Sequence, residues 1–163
     1  MKIFFFIFLI LLTSSKILYA QNLSKAYFAG GCFWCMEESF EKINGVTEVI
    51  SGYSGGTTKN PSYKEVTYGD TGHFETIEVI YDSSTISYKK LLDNFWINID
   101  PFDEYGQFCD KGYSYRSVAF YQNQKQKILI EDNIKKIEKK FQKKVLTYIK
   151  EFDEFYKAED KHQ

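Results

Sequence analysis

The chain has 163 residues, which suits one domain of ordinary size. Hydrophobic residues make up 44% and charged residues 26%, so it can bury a core and does not have the composition of a disordered chain. A net charge of −1, with Arg116 the only arginine, argues against a nucleic-acid partner, and three cysteines are too few for a disulfide scaffold.

Residues 1–20, MKIFFFIFLILLTSSKILYA, open with a positive Lys2, run through ten apolar residues from Ile3 to Leu12 and close at Ala20. This is the plan of a secretory signal, and ten apolar residues fall short of the roughly 20 that a spanning helix needs. The expectation is export to the periplasm or beyond, cleavage after Ala20, a single domain over residues 21–163, and no stable membrane insertion once the signal is removed.

After the signal, the periodicity of apolar residues predicts the elements in order. Ala26 to Ala29 is a short aromatic strand ending at Gly30-Gly31, and Phe33 to Ile43 carries Phe33, Met36, Phe40 and Ile43 at helical spacing. Val46 to Tyr53 is a β-branched strand. A long loop then runs to Gly72, and Phe74 to Tyr81 alternates as a half-buried strand does. Ser87 to Ile99 is helical with Leu91, Leu92, Phe95 and Trp96 on one side. Pro101 to Ser114 is a second long loop, and Ser117 to Tyr121 is a strand. This β-α-β-β-α-β order predicts an α+β fold with a ferredoxin-like core sheet and packed helices. It is extended by a Lys-rich helix, Gln124 to Lys144, with Ile130, Ile134, Ile137 and Phe141 on its buried stripe. A last strand, Val145 to Phe152, and a polar tail complete it.

Chemistry concentrates at Gly30-Gly31-Cys32-Phe33-Trp34-Cys35, between a strand and a helix. A thiol at a helix start meets unpaired N–H groups and the positive end of the dipole, which favour thiolate. The spacing sets Cys35 one turn away, where it can condense with an oxidised Cys32. The same spacing also marks haem, zinc and thioredoxin-like sites. Met36 stands where haem attachment needs histidine, and three cysteines with His73 and His162 offer no second paired motif for zinc, so no metal is expected. A dithiol exchanger stays open at this point, although Phe33 and Trp34 look like a wall for an apolar group.

GCFWC after a strand, followed in order by GYSGG, NPSY, GDTGHFE and CDKGYSYRS, resembles the A-type peptide methionine sulfoxide reductases over roughly residues 25–160. The resemblance implies an oxidoreductase that repairs oxidised proteins and peptides and accepts free methionine sulfoxide of the S epimer. It implies Cys32 as nucleophile, Glu75 as the acid that protonates the sulfoxide oxygen, and the hydroxyls of Tyr63 and Tyr115 as groups sharing that oxygen. Phe33 and Trp34 would hold the methyl group, and Asp110 would belong to the substrate site. Without the resemblance, Glu75 reads as a strand's solvent-face charge and Asp110 as a turn former. His73 reads as structural, and Arg116 as support for packing or for a carboxylate.

No cysteine follows Cys109, so Cys35 or Cys109, or an external thiol, is expected to resolve the sulfenic acid left on Cys32. Cys35 has its spacing in its favour; Cys109 adjoins Asp110. The expected reductant is an external thioredoxin-like dithiol, with no bound cofactor, no nucleic-acid partner and a monomeric enzyme. Two rivals are a general thiol–disulfide exchanger working through Cys32 and Cys35, and a module that binds oxidised methionine without turnover.

Overall fold

The computed structural model describes residues 22–163, so the export signal read at residues 1–20 lies outside the described residues. The elements run β1 (Leu23–Ala29), α1 (Phe33–Glu41), β2 (Val46–Ser54), α2 (Tyr63–Tyr68), β3 (Phe74–Asp82), α3 (Tyr88–Ile97), a hairpin of β4 (Gly106–Gln107) and β5 (Asp110–Lys111), then β6 (Val118–Tyr121), α4 (Gln124–Phe141), β7 (Tyr148–Glu151) and β8 (Phe155–Lys157). One six-stranded sheet has the order β7-β6-β1-β3-β2-β8. Its inner four strands, β6-β1-β3-β2, pair antiparallel throughout, which is the split βαβ arrangement the element order predicts. β7 adds in parallel beside β6 after the long α4 crossover. No helix among the described residues is long and apolar enough to cross a membrane.

Alternation along β1 and β3 sorts their side chains to two faces. Ala26, Phe28, Ile77 and Val79 meet Phe33, Met36 and Phe40 of α1, Leu91, Leu92 and Phe95 of α3, and Ile130 of α4. The second face carries Tyr27, Ala29, Phe74 and Phe120, covered in part by Phe152 and Phe155, and Tyr27 stacks on Phe152 at 3.7 Å. β3 is therefore buried on both sides rather than half-buried, because it is a central strand and the segment after β7 folds over its second face. Its charged residue on that face, Glu78, accepts from the Tyr27 hydroxyl at 2.7 Å and from Lys25 at 2.9 Å.

Four local features depart from the periodic reading. The first long loop contains α2, whose Ser62 accepts from the Glu65 N–H while the Glu65 side chain reaches back to the Ser62 N–H. This capping box stabilises a helix of six residues that buries only Val66, too little for a periodic signal. The second loop folds as the β4–β5 hairpin and a 3-10 turn, Tyr113–Tyr115. Phe141 is 55% exposed instead of buried, since α4 ends at that residue and the ring meets Phe102 edge-on with Lys140 over its face. The polar tail is ordered structure: β8 pairs with the outer edge of β2, and Ala158 N–H donates to the Ser51 carbonyl at 2.9 Å. Lysines along α4 form a solvated face, as their interleaving with acids predicts.

β8 can lie this close because β2 has no side chain where they cross. A Cβ on Gly52 would stand 2.4 Å from the Phe155 ring and 2.4 Å from the Tyr156 carbonyl oxygen. Gly52→Ala is expected to lower unfolding free energy by about 1–3 kcal/mol, the usual cost of forced overpacking. It should also release the amides of residues 155–157 to hydrogen exchange. Urea unfolding and exchange measured together check this, and wild-type behaviour in both would contradict the crossing as the constraint.

Candidate active site

Gly31 has φ +84°, a left-handed backbone that glycine adopts without strain, and a Cβ there would meet the Gln107 side chain at 2.7 Å. The chain thus turns sharply out of β1 and delivers Cys32 as the N-cap of α1, its carbonyl accepting from the N–H groups of Cys35 at 3.2 Å and Met36 at 3.3 Å. Burial pushes the Cys32 thiol above its ordinary pKa. The N–H groups of Cys35 and Trp34 at the helix start act the other way, as helix position predicts, while the nearness of the Cys35 thiol and the charge of Glu75 add to the rise. Desolvation therefore outweighs the helix terminus, and the resting group is held toward thiol.

Glu75 lies opposite Tyr53 in the β2–β3 register and shares the helix-covered face with Ile77 and Val79. It is 1% exposed, not a solvent-face charge. Its Oε2 accepts from the Phe33 N–H at 3.1 Å, and its Oε1 is buried with no hydrogen-bond partner. Burial raises the carboxyl to a pKa of about 7. The Phe33 N–H lowers it, the charge of Asp110 raises it further, and the nearby Tyr115 hydroxyl lowers it. A carboxyl that is half protonated at neutral pH, with one oxygen unpartnered, can give up a proton to a bound oxygen atom. The Tyr115 hydroxyl is itself held toward its protonated form by burial, by Glu75 and by Tyr63.

Beside this group stands an aromatic wall. The Phe33 ring is buried, with Trp34 at 5.7 Å and Tyr63 at 6.1 Å, while Trp34 is 49% exposed at the rim. Cys32 also lines a cleft of about 450 Å³ together with Cys35, Met36, Gln107, Cys109 and Asp110. All three cysteines are free thiols, and Cys35 and Cys109 are exposed. Gln107 locks the loop carrying Cys109 by accepting from the Asp100 N–H at 2.7 Å and donating to the Asp100 carbonyl at 3.0 Å.

Of the residues singled out in the sequence, Cys35, Cys109 and Asp110 share the cleft with Cys32, Phe33 stands beside Trp34 and Tyr63, Glu75 bonds the Phe33 N–H, and Tyr115 lies near Glu75 and Tyr63. His73 is structural: its Nδ1 accepts from the Gly56 N–H at 3.1 Å, and its Nε2 pairs with the Thr58 carbonyl at 2.8 Å. Arg116 packs over the Tyr113 ring and donates to the Tyr148 hydroxyl at 2.9 Å. The sequence reading missed the turn at residues 159–163. Glu159 accepts from the Tyr63 N–H at 3.0 Å and the Tyr53 hydroxyl at 2.9 Å, the His162 carbonyl accepts from the Trp34 indole at 3.0 Å, and the His162 ring lies 4.4 Å from that of Tyr63. Nothing local signals these contacts, because they join segments far apart in the chain.

Residues 24–163 match the family model described as peptide methionine sulfoxide reductase. The peptide methionine sulfoxide reductase MsrA of Streptococcus agalactiae is 44% identical over 143 residues, covering 86% of this chain and 85% of the relative. The crystal structure of reduced Mxr1 from Saccharomyces cerevisiae superposes with a TM-score of 0.80 at 30% identity, covering 86% of this chain and 82% of that one. Mxr1 in complex with Trx2 shares the fold at a TM-score of 0.63 and 20% identity, covering 91% of this chain and 90% of that one. With a model match over nearly all the described residues and close relatives of similar length, the chain belongs to the A-type peptide methionine sulfoxide reductases, oxidoreductases that return methionine sulfoxide to methionine.

Proposed function

We propose that Cys32 is the nucleophile and Glu75 the general acid of this reduction. The observation that carries the assignment is the buried Glu75 carboxyl, near pKa 7, anchored by one oxygen to the Phe33 N–H with the other left free. A sulfoxide oxygen leaves sulfur only once protonated, and a carboxylic acid kept neutral by burial is suited to the task. The methyl group of methionine S-sulfoxide lies against Phe33 and Trp34, and its oxygen meets Glu75 and the hydroxyls of Tyr63 and Tyr115. Asp110 helps hold the Glu75 proton.

The Cys32 sulfur attacks the sulfoxide sulfur as the proton moves to oxygen, giving methionine and a sulfenic acid on Cys32. Attack by the thiol of Cys35 or Cys109 on that sulfur expels water and leaves a disulfide. Both thiols line the cleft that Cys32 enters, and the Cys35 N–H donates to the Cys32 carbonyl at 3.2 Å, one helical turn away. An external thioredoxin-like dithiol then reduces the disulfide by exchange; the yeast protein crystallised with Trx2 supports this choice of reductant. The substrates are oxidised proteins and peptides, met outside the cytoplasm if residues 1–20 export the chain as their pattern suggests.

Two measurements test this. In a single turnover of the reduced chain with a peptide methionine S-sulfoxide, about one methionine should form and about two thiols disappear per chain. Whichever of Cys35→Ser and Cys109→Ser leaves only one thiol lost names the resolving residue, and methionine-free mixtures would sink the assignment of Cys32. In the second, the rate of methionine formation should fall as pH rises through about 7, because the Glu75 proton is lost there. Glu75→Gln should remove that limb along with activity, by about 10²-fold or more. The raised folded-state pKa also means the native state holds this proton more tightly than the unfolded one, so wild-type stability declines between the ordinary carboxyl range and about pH 7. Glu75→Gln escapes that decline, which amounts to about 3 kcal/mol at pH 8, and should be more stable than wild type there by up to that amount. An active, or a less stable, Glu75→Gln enzyme would contradict the assignment.

A further inference from the structure

The turn at residues 159–163 takes hold of three of the residues proposed to contact substrate. Its His162 carbonyl accepts the Trp34 indole N–H at 3.0 Å, and its Glu159 carboxylate accepts the Tyr63 N–H at 3.0 Å. The His162 ring is 6% exposed and wedged between Tyr63 at 4.4 Å, Trp34 at 5.5 Å and Phe33 at 5.6 Å. Gln163 ties the turn to the sheet by donating to the carbonyls of Ser51 and Ala158, each at 3.1 Å. Neither ring nitrogen of His162 has a hydrogen-bond partner, and Nε2 stands 3.9 Å from the Glu159 carboxylate, beyond hydrogen-bond range. A buried imidazole whose nitrogens bond to nothing contributes through its flat face.

We propose that His162 is a positioning residue for the sulfoxide oxygen: its imidazole face closes the aromatic wall behind Phe33 and Trp34 and fixes the tilt of Tyr63. Removing the ring leaves Tyr63 free to rotate into the vacated space, and a displacement of about 1 Å in a reacting group can cost about 10²-fold in rate. The proposal rests on the Tyr63 hydroxyl serving the sulfoxide oxygen, as set out above. In this role His162 acts through Tyr63 and not on the oxygen itself.

The experiment is a double-mutant cycle in single turnover with a peptide methionine S-sulfoxide, in the full chain. His162→Ala should lower kcat/KM by about 10- to 100-fold. His162→Phe, which keeps an aromatic face and removes two unpartnered nitrogens, should retain most of the wild-type rate. In a Tyr63→Phe background, His162→Ala should cost only about 2-fold more, since the hydroxyl it positions is already gone. If the alanine variant does not fold, His162→Leu takes its place, keeping volume without the ring face. Full additivity with Tyr63→Phe would overturn the proposal while leaving the role of Tyr63 standing, as would a phenylalanine variant as slow as alanine. A Tyr63→Phe enzyme at wild-type rate would overturn the Tyr63 assignment and this proposal together.

Discussion

Desolvation of one carboxyl sets the terms for this enzyme. Glu75 is placed on the sheet face that α1 and α3 cover, so the same packing that builds the core lifts its pKa to about 7. The Phe33 N–H stabilises one carboxyl oxygen without neutralising the effect of burial. Cys32 is drawn into the same balance: its thiol is raised first by burial and then by the charge of Glu75. Cys32 and Glu75 are thus both held toward their protonated forms, in each case chiefly by burial.

Cys32 has two distinct surroundings. On one side are Glu75 and the aromatic residues Phe33, Trp34 and Tyr63; on the other is the cleft lined by Cys35, Cys109 and Asp110. In the mechanism proposed above, the substrate methyl group takes the first of these surroundings and the attacking thiol comes from the second. The exposure of Cys35 and Cys109 leaves a disulfide on that side open to an outside dithiol.

Much of the fold is legible in the sequence because the four inner strands and the helices α1 and α3 carry strong apolar periods. The elements that escape are those whose stability is not periodic. α2 rests on the Ser62–Glu65 capping box, a signal of two residues, and β8 on an edge pairing with β2 that only the folded sheet creates. The site divides in the same way. The GCFWC segment announces Cys32 by its chemistry and position, whereas Glu75 needs either the family resemblance or its alternation with Ile77 and Val79, which puts it on the apolar side of its strand. Tyr63 and Tyr115 are two among 13 tyrosines, and no spacing selects them. Glu159 and His162 were out of reach, since their partners lie on β2, α1 and α2.

The bond from the Trp34 indole to the His162 carbonyl spans 128 positions of sequence. A ribosome therefore finishes the nucleophile, its helix and most of the sheet before it makes the segment that closes the aromatic wall. Until that segment has docked against β2, Cys32 and α1 are present but Trp34 and Tyr63 lack the backbone and carboxylate partners that hold them. Non-local closures of this sort come late in folding, because the loop entropy must be spent before the contact rewards it. The contacts that hold Trp34 and Tyr63 are thus made later than Cys32 and its helix.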